Sequence, residues 1–416
     1  MSHSIDPGSA REAMQRFRFA GQCTLVLVCL GWLAWFYPFD DFLDRSGTPL
    51  GGDYVMLYVA GQVVAEGQSA ALYNDAANQQ RTSRLFPQMN SLESWPYRYP
   101  PTVAAVMAPL SRLPFGWSYA TFLILQLSLL MISLKWLLRS CPLFAAHRGW
   151  LWAVVGSPLV LENFIGGQSS LLAVACVVGC VVWLGQGRPA LAGICLAVAL
   201  YKPNVAALFV LAALIAHPRL LLGFVPTVAV GFGLAWWSTG AGVLSQYLHL
   251  ATHLASGEWS LETPYWKVHG LAPLFQAMWP EHGRLLCTAS GIAACLLVGW
   301  NWRRGQLDNV SASSLLLCLN ALLNPYVPIY DLVLLEVALI FGCQGLSGRL
   351  SPAVGKMLFL SAAGLLFMGP HLSQALARSL QWQLFPLVLL AWLAWVAWTM
   401  TRATGKAEQP LLVQAS

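Results

Sequence analysis

Long apolar runs separated by short polar patches dominate the chain. In windows of roughly 19 residues, the strongest runs fall at 19–37, 116–138, 169–185, 220–238, 285–302, 329–343, 354–370 and 381–400. Weaker runs at 150–164, 189–201, 205–216 and 311–323 are near or below the length that crosses a bilayer straight, which points to broken or protein-buried helices. In lipid every backbone amide has to be satisfied within its own segment, so runs of this length are helices. The alternating pattern of a membrane barrel is missing. The pattern therefore predicts an all-α polytopic transmembrane helical bundle of about 12 spans, long helices crossing a core ~30 Å thick. A single membrane-embedded domain covers 1–416.

Two polar stretches are too long to be connectors, 38–115 and 239–283, and loops of that size usually carry function. Within the first, 60–67 and 69–84 mix apolar and polar residues as interfacial helices do, and 95–101 is a Trp/Tyr/Pro cluster suited to the headgroup layer. The chain has no fixed-period repeat and no low-complexity tract.

Composition sharpens this picture. With 57% hydrophobic residues, 10% charged residues and a mean hydropathy of +0.60, no soluble fold could cover the apolar surface. The net charge of +6 then reports orientation rather than an acidic partner, and nucleic acid is not expected. Arg11, Arg16 and Arg18 precede the first run, and Lys135, Arg139, Arg148, Arg188, Arg219, Arg303, Arg304, Arg349, Lys356, Arg402 and Lys406 fall at the same set of ends. Both termini are thus predicted to be cytoplasmic, with an uncleaved first span in the inner (plasma) membrane and both long polar stretches outside. Cys23, Cys29, Cys176, Cys180, Cys195, Cys287, Cys295, Cys318 and Cys343 lie inside apolar runs and read as small core hydrophobes, not as a disulfide framework.

Signatures of soluble nucleotide and zinc enzymes are absent, so chemistry has to come from a few polar residues at the ends of apolar runs. Asp53, in Gly51-Gly52-Asp53-Tyr54, is a carboxylate at the membrane boundary that could take a proton from a hydroxyl. It could equally cap the helix starting at Tyr54. In Tyr97-Arg98-Tyr99-Pro100-Pro101 the prolines fix an extended lead into a helix, and Arg98 can fork onto phosphate or snorkel. Gly166-Gly167-Gln168 is a polar break that either turns the chain or aims an amide at a ligand. In Lys202-Pro203-Asn204 the lysine stands in an otherwise uncharged stretch beside a helix-breaking proline, with no acidic neighbour in sequence. At the bilayer centre it would cost roughly 3 kcal/mol, so a hairpin bringing it to the outer side is predicted. Asn324-Pro325-Tyr326 followed by Tyr330-Asp331 forms another polar wedge, with Asp331 near a helix start.

The second outer stretch offers His249, His253, Glu258, Trp259, Glu262, Tyr265, Trp266 and His269, a mixture suited to sugar stacking and hydroxyl binding. His249 and His253 have helical i, i+4 spacing, but the glutamate of a zinc motif and a third ligand are missing, so no metal is expected.

Taken in order, Gly51-Gly52-Asp53-Tyr54, Gly67 to Leu72-Tyr73, Tyr97 to Pro101, Ala108-Pro109-Leu110 with Leu113-Pro114-Phe115, Gly167-Gln168, Lys202-Pro203 and Asn324-Pro325 with Tyr330-Asp331 form a series. It resembles glycosyltransferase family 87 over roughly 51–338. That family includes mycobacterial mannosyltransferases acting on phosphatidylinositol mannosides. The resemblance implies the GT-C membrane fold, a polyprenyl-phosphate sugar donor on the outer face, and a lipid or glycan hydroxyl acceptor. By it, Asp53 is the general base of an inverting displacement, and Lys202, then Arg98, meets the donor phosphate. Substrate contacts are expected from Tyr54, Tyr58, Tyr99, Gln168, Asn324, Tyr326 and Asp331, with His249 and His253 from the second outer stretch. No organic cofactor is implied, and a divalent cation is left open. The competing reading is a transporter or flippase of lipid-linked sugars, which would want a broken helix and an intramembrane cation but also inverted repeats, and none are seen.

Overall fold

The structure, a computed structural model, describes residues 7–36, 42–45, 47–89, 96–146, 150–256, 265–346, 352–380 and 383–407. Trp95, Arg148, Glu258, Trp259, Glu262 and Arg349 lie outside the described residues. The first predicted run lies in α1 (Pro7–Phe36), and the 38–115 stretch contains α2 (Tyr54–Ala65), α3 (Asp75–Leu85) and α4 (Pro101–Met107). There follow α5 (Phe115–Ser140), α6 (Pro142–Ala146), α7 (Trp150–Val155), α8 (Pro158–Ile165), α9 (Ser170–Gly185), α10 (Pro189–Ala199) and α11 (Pro203–Ala216). The chain continues through α12 (Leu221–Thr239), α13 (Ala241–Ser256), α14 (Ala272–Met278), α15 (Gly283–Arg303) and α16 (Asn309–Leu323), and then α17 (Val333–Leu346), α18 (Pro352–Leu380) and α19 (Phe385–Ala407). Among the described residues the only extended pairing is an isolated bridge between Leu43 and Pro49. This is an all-α membrane protein.

Helices occupy all twelve predicted runs, but not as twelve equal rods. Among the described residues four helices are long and apolar enough to cross a membrane by themselves: Phe115–Ser140, Pro218–Thr239, Gly283–Arg303 and Ile329–Leu346. The weak 150–164 run is split at Gly156-Ser157-Pro158 into α7 and α8, because Pro158 can only open a helix and the Ser157 hydroxyl accepts the Leu159 N–H as its cap. The short helices sit inside: α9 buries residues on every face, from Leu171 through Val182, as an all-round apolar helix must. At the periphery α12 instead exposes Leu222, Val225, Val230, Trp236 and Trp237, the face that lipid would cover. Contact between α10 and α12 runs through glycines: a Cβ on Gly193 would meet the Leu220 carbonyl, and one on Gly223 the Ala190 carbonyl. Small residues permit that approach where no hydrophobic force drives helices together.

Two expectations need correction. The segment read as an interfacial helix at 60–67 belongs to α2, which starts at Tyr54 and buries Tyr54, Val55, Leu57, Tyr58, Val59, Ala60, Gly61 and Val63. It is enclosed by α4 and the start of α5 rather than laid on a surface, because a run this apolar has no polar face to offer water. Of the cysteines read as core, Cys29 is exposed on α1 and Cys23, Cys195 and Cys343 are half-buried, while Cys176, Cys180, Cys287, Cys295 and Cys318 are buried, all as free thiols.

Candidate functional site

Four breaks in the helices meet at one end of the bundle: the turn before α2, the α8–α9 junction, the α10–α11 junction and the α16–α17 connection. The first two depend on glycine. Gly51, Gly52 and Gly167 have φ of 81°, 43° and 61°, and a Cβ on Gly167 would collide with the Gly51 carbonyl oxygen and with Tyr54. Glycine alone combines that backbone with that proximity. At the third, Pro203 opens α11 and keeps Lys202 out of the helical conformation, at φ −129° and ψ 76°, so the apolar stretch around Lys202 folds as the predicted hairpin.

Asp53 occupies the N-cap position of α2, but with φ −65° and ψ −14° its side chain makes no capping bond. Its main-chain N–H donates to the Gly166 carbonyl at 3.2 Å, and its Oδ2 accepts from Gln168 Nε2. Gln168 is itself fixed, its N–H on the Asn163 carbonyl at 2.9 Å and its carbonyl accepting from Gln126 Nε2 of α5.

Beside this junction lies a buried ion pair. Lys202 Nζ donates to Asp331 Oδ1 at 2.6 Å and to Ser170 Oγ at 2.9 Å, and Ser170 Oγ donates to the same Oδ1 at 2.5 Å. Asn204 Nδ2 reaches Asp331 Oδ2 at 3.4 Å, and the ammonium lies 4.6 Å from the centre of the Tyr330 ring. The two charged side chains are only 6% and 3% exposed, so each depends on the other for compensation. The charge of Asp53 acts on Lys202, Tyr99, Tyr326 and Tyr330, which puts both carboxylates in one electrostatic neighbourhood. Tyr99 stacks on Tyr201 with ring centres 6.3 Å apart, the Tyr201 hydroxyl donates to the Ser169 carbonyl at 2.5 Å, and Tyr73 donates to the Tyr99 carbonyl at 2.9 Å. Burial pushes the phenols of Tyr73, Tyr97 and Tyr99 up from their ordinary range. They are neutral hydrogen-bonding groups and do not compete with a carboxylate for a substrate proton.

The residues singled out in the sequence divide into two sets. Asp53, Gln168, Lys202 and Asp331 come together with Tyr99 and Tyr326 around them. Arg98 turns away and forks onto Asp75, at 3.0 and 2.8 Å. Tyr54 and Tyr58 are core: the Tyr54 hydroxyl meets Ser118 Oγ at 2.6 Å, that of Tyr58 the Leu113 carbonyl at 2.9 Å, and both rings pack against Phe115. Asn324 spends its amide inside the chain, on the Asn204 carbonyl, on Asn320 Oδ1 at 3.2 Å and on the Tyr326 N–H at 3.0 Å. His249 and His253 occupy the exposed face of α13, outside the hydrogen bonds of the Lys202 pair. Among the described residues no three of His, Cys, Asp and Glu converge as metal ligands. Sequence reasoning missed Gln126 and Ser170. Ser170 stands two residues from Gln168, so widening that motif would have included it, whereas Gln126 looks like any polar residue of a long helix.

No curated protein and no solved structure matches this chain. The sequence profile of glycosyltransferase family 87 matches residues 97–325, more than half of the chain. That segment carries Tyr99, Gln126, Gln168, Ser170, Lys202, Asn204 and Asn324, while Asp53 lies well before it and Asp331 shortly after it, and both reach the cluster through the fold. The match spans the α8–α9 and α10–α11 junctions and the start of the α16–α17 connection, and the chain belongs to glycosyltransferase family 87.

Proposed function

We propose that this glycosyltransferase moves a hexose, mannose by resemblance to its family, from a polyprenyl-phosphate sugar to a hydroxyl of a lipid or glycan. The reaction takes place on the outer face of the inner (plasma) membrane, with inversion at the anomeric carbon. The observation that carries this reading is the placement of Asp53: a carboxylate held by an amide rather than spent as a helix cap, within the electrostatic reach of a buried ammonium.

In this reading Asp53 takes the proton of the acceptor hydroxyl as that oxygen attacks the anomeric carbon. The bond from that carbon to the phosphate oxygen breaks, and polyprenyl phosphate leaves with the electron pair. Phosphate is already a fair leaving group, so the protein mainly has to align two substrates and neutralise developing charge. Two hydrogens of the Lys202 ammonium go to Asp331 and Ser170, and the third is the one a phosphate oxygen can take. Arg98, committed to Asp75, serves the surface of the outer loop instead.

The test is release of polyprenyl phosphate by the purified protein in lipid, from polyprenyl-phosphate mannose, glucose and galactose in turn, with a crude lipid extract as acceptor. Release from one donor that disappears in Asp53→Asn supports the reading. No release from any donor, with counterflow of intact lipid-linked sugar across vesicles, would replace the transferase by a flippase.

A further inference from the structure

We infer that Gln168 is the positioning residue of the base: its amide holds the Asp53 carboxylate in one orientation and favours its charged form. This deepens the reading above and rests on it. The sequence suggested that this amide faces a ligand, whereas the geometry turns it onto Asp53.

Three observations carry the inference. First, the main chain that carries the amide is anchored independently of Asp53. Gln168 is 3% exposed, its N–H is tied to the Asn163 carbonyl and its carbonyl to Gln126 Nε2, and Gln126 is itself 2% exposed on α5. Second, the two chain segments are clamped at the main chain as well. The Asp53 N–H donates to the Gly166 carbonyl, and Gly167 presses on Gly51 and Tyr54 where no Cβ fits. The carboxylate and the amide therefore share one rigid junction, and neither can drift without breaking backbone contacts. Third, the amide has only one orientation that chemistry allows. A carboxylate accepts only, so Nε2 has to face it, and this leaves the buried Oε1 of Gln168 without a donor among the described residues. Leaving an acceptor orphaned costs free energy. A side chain with a purely packing role would be apolar here, so the cost is accepted for what Nε2 does.

A donor that stabilises a carboxylate lowers the pH at which it takes a proton. Removing the donor moves the acid limb of kcat/KM upward by about one pH unit, the size of a charge-assisted bond. Placing a second carboxyl there moves it further, since two adjacent carboxyls share one proton. The titratable groups that feel Asp53 include Lys202, Tyr99, Tyr326 and Tyr330, with Asp331 paired to Lys202. None of these is altered in the test.

The experiment compares wild type, Gln168→Leu, Gln168→Glu, Gln126→Leu and Asp53→Asn in lipid. It records pH profiles of polyprenyl-phosphate release with the same three donors, and a carboxyl infrared titration with the Asp53→Asn spectrum subtracted. Expected are acid limbs raised in Gln168→Leu, raised more in Gln168→Glu, and raised slightly in Gln126→Leu, with donor KM within about threefold of wild type. The infrared titration reads the same order without turnover, and it covers the case in which Gln168→Leu fails to fold, because Gln168→Glu keeps the shape. If the profiles and the titration stay at wild-type pH, or the loss is confined to KM, Gln168 is a substrate contact and the inference is overturned. Full turnover in Asp53→Asn would remove the base itself, a failure distinct from the first.

Discussion

Two carboxylates anchor the cluster, and they are held by different kinds of partner. Asp53 stands on a glycine turn and takes a hydrogen bond from a neutral amide. Asp331 stands at the foot of α17, and its Oδ1 accepts from both an ammonium and a hydroxyl. A base has to offer a lone pair and then carry the proton. Protonating Asp331 would strand a buried ammonium, whereas protonating Asp53 faces the Gln168 amide, which carries no charge to strand. Burial and charge alone do not mark a base; the nature of the partner sorts the two roles.

The comparison breaks most visibly at Asp53. Asp53→Asn keeps the shape and removes the proton acceptor, and turnover is expected to fall about 10²–10⁴-fold with the protein still folded. Release of polyprenyl phosphate at saturating donor is the measurement, and wild-type turnover would sink the assignment. Asp331→Asn is expected to act mainly on stability, by about 3–5 kcal/mol, since it leaves Lys202 buried without its counter-charge. The double variant Lys202→Met with Asp331→Asn restores most of the thermal midpoint but not the activity; if Asp331→Asn melts like wild type, the pair carries little of the fold. Gly167→Ala probes the junction of the two regions, where a Cβ meets the Gly51 carbonyl. A loss of about 1–3 kcal/mol is expected for the forced shift, with activity reduced further, as seen by paired melting and rate measurements. Arg98→Gln removes an ion pair whose side chains are 34% and 43% exposed, so stability is expected to change by about 1 kcal/mol or less. A collapse of donor KM in that variant would return Arg98 to the site.

Much of this arrangement is legible along the chain because it follows from local rules. The apolar runs mark the helices, Pro203 marks the break beside Lys202, and Gly51, Gly52 and Gly167 mark turns that other residues cannot make. The rest is a matter of pairing at long range. Nothing near Lys202 in sequence offers a negative charge, and its partner stands 129 residues away. Likewise Gln168 and Asp53 are separated by 115 residues, so an amide that reads as aimed at a ligand turns out to face a side chain of its own protein. Tyr54 and Tyr58 show the opposite error: their position beside Asp53 suggested contact with substrate, but the helical period turns both into the aromatic packing of α2. Adjacency in sequence says little about which face of a helix a side chain shares.

The separation of Lys202 from Asp331 also bears on biogenesis. Chains are made at roughly 5–20 residues per second, so Lys202 leaves the ribosome on the order of ten seconds before the residue that neutralises it. Throughout that interval the α10–α11 hairpin has to be inserted with an uncompensated ammonium at its tip, which ties the hairpin to the aqueous edge and keeps it from sinking as one long helix. When the start of α17 arrives it can draw the tip into the protein and complete the cluster, so the nascent enzyme holds no assembled site until about four fifths of the chain has been made.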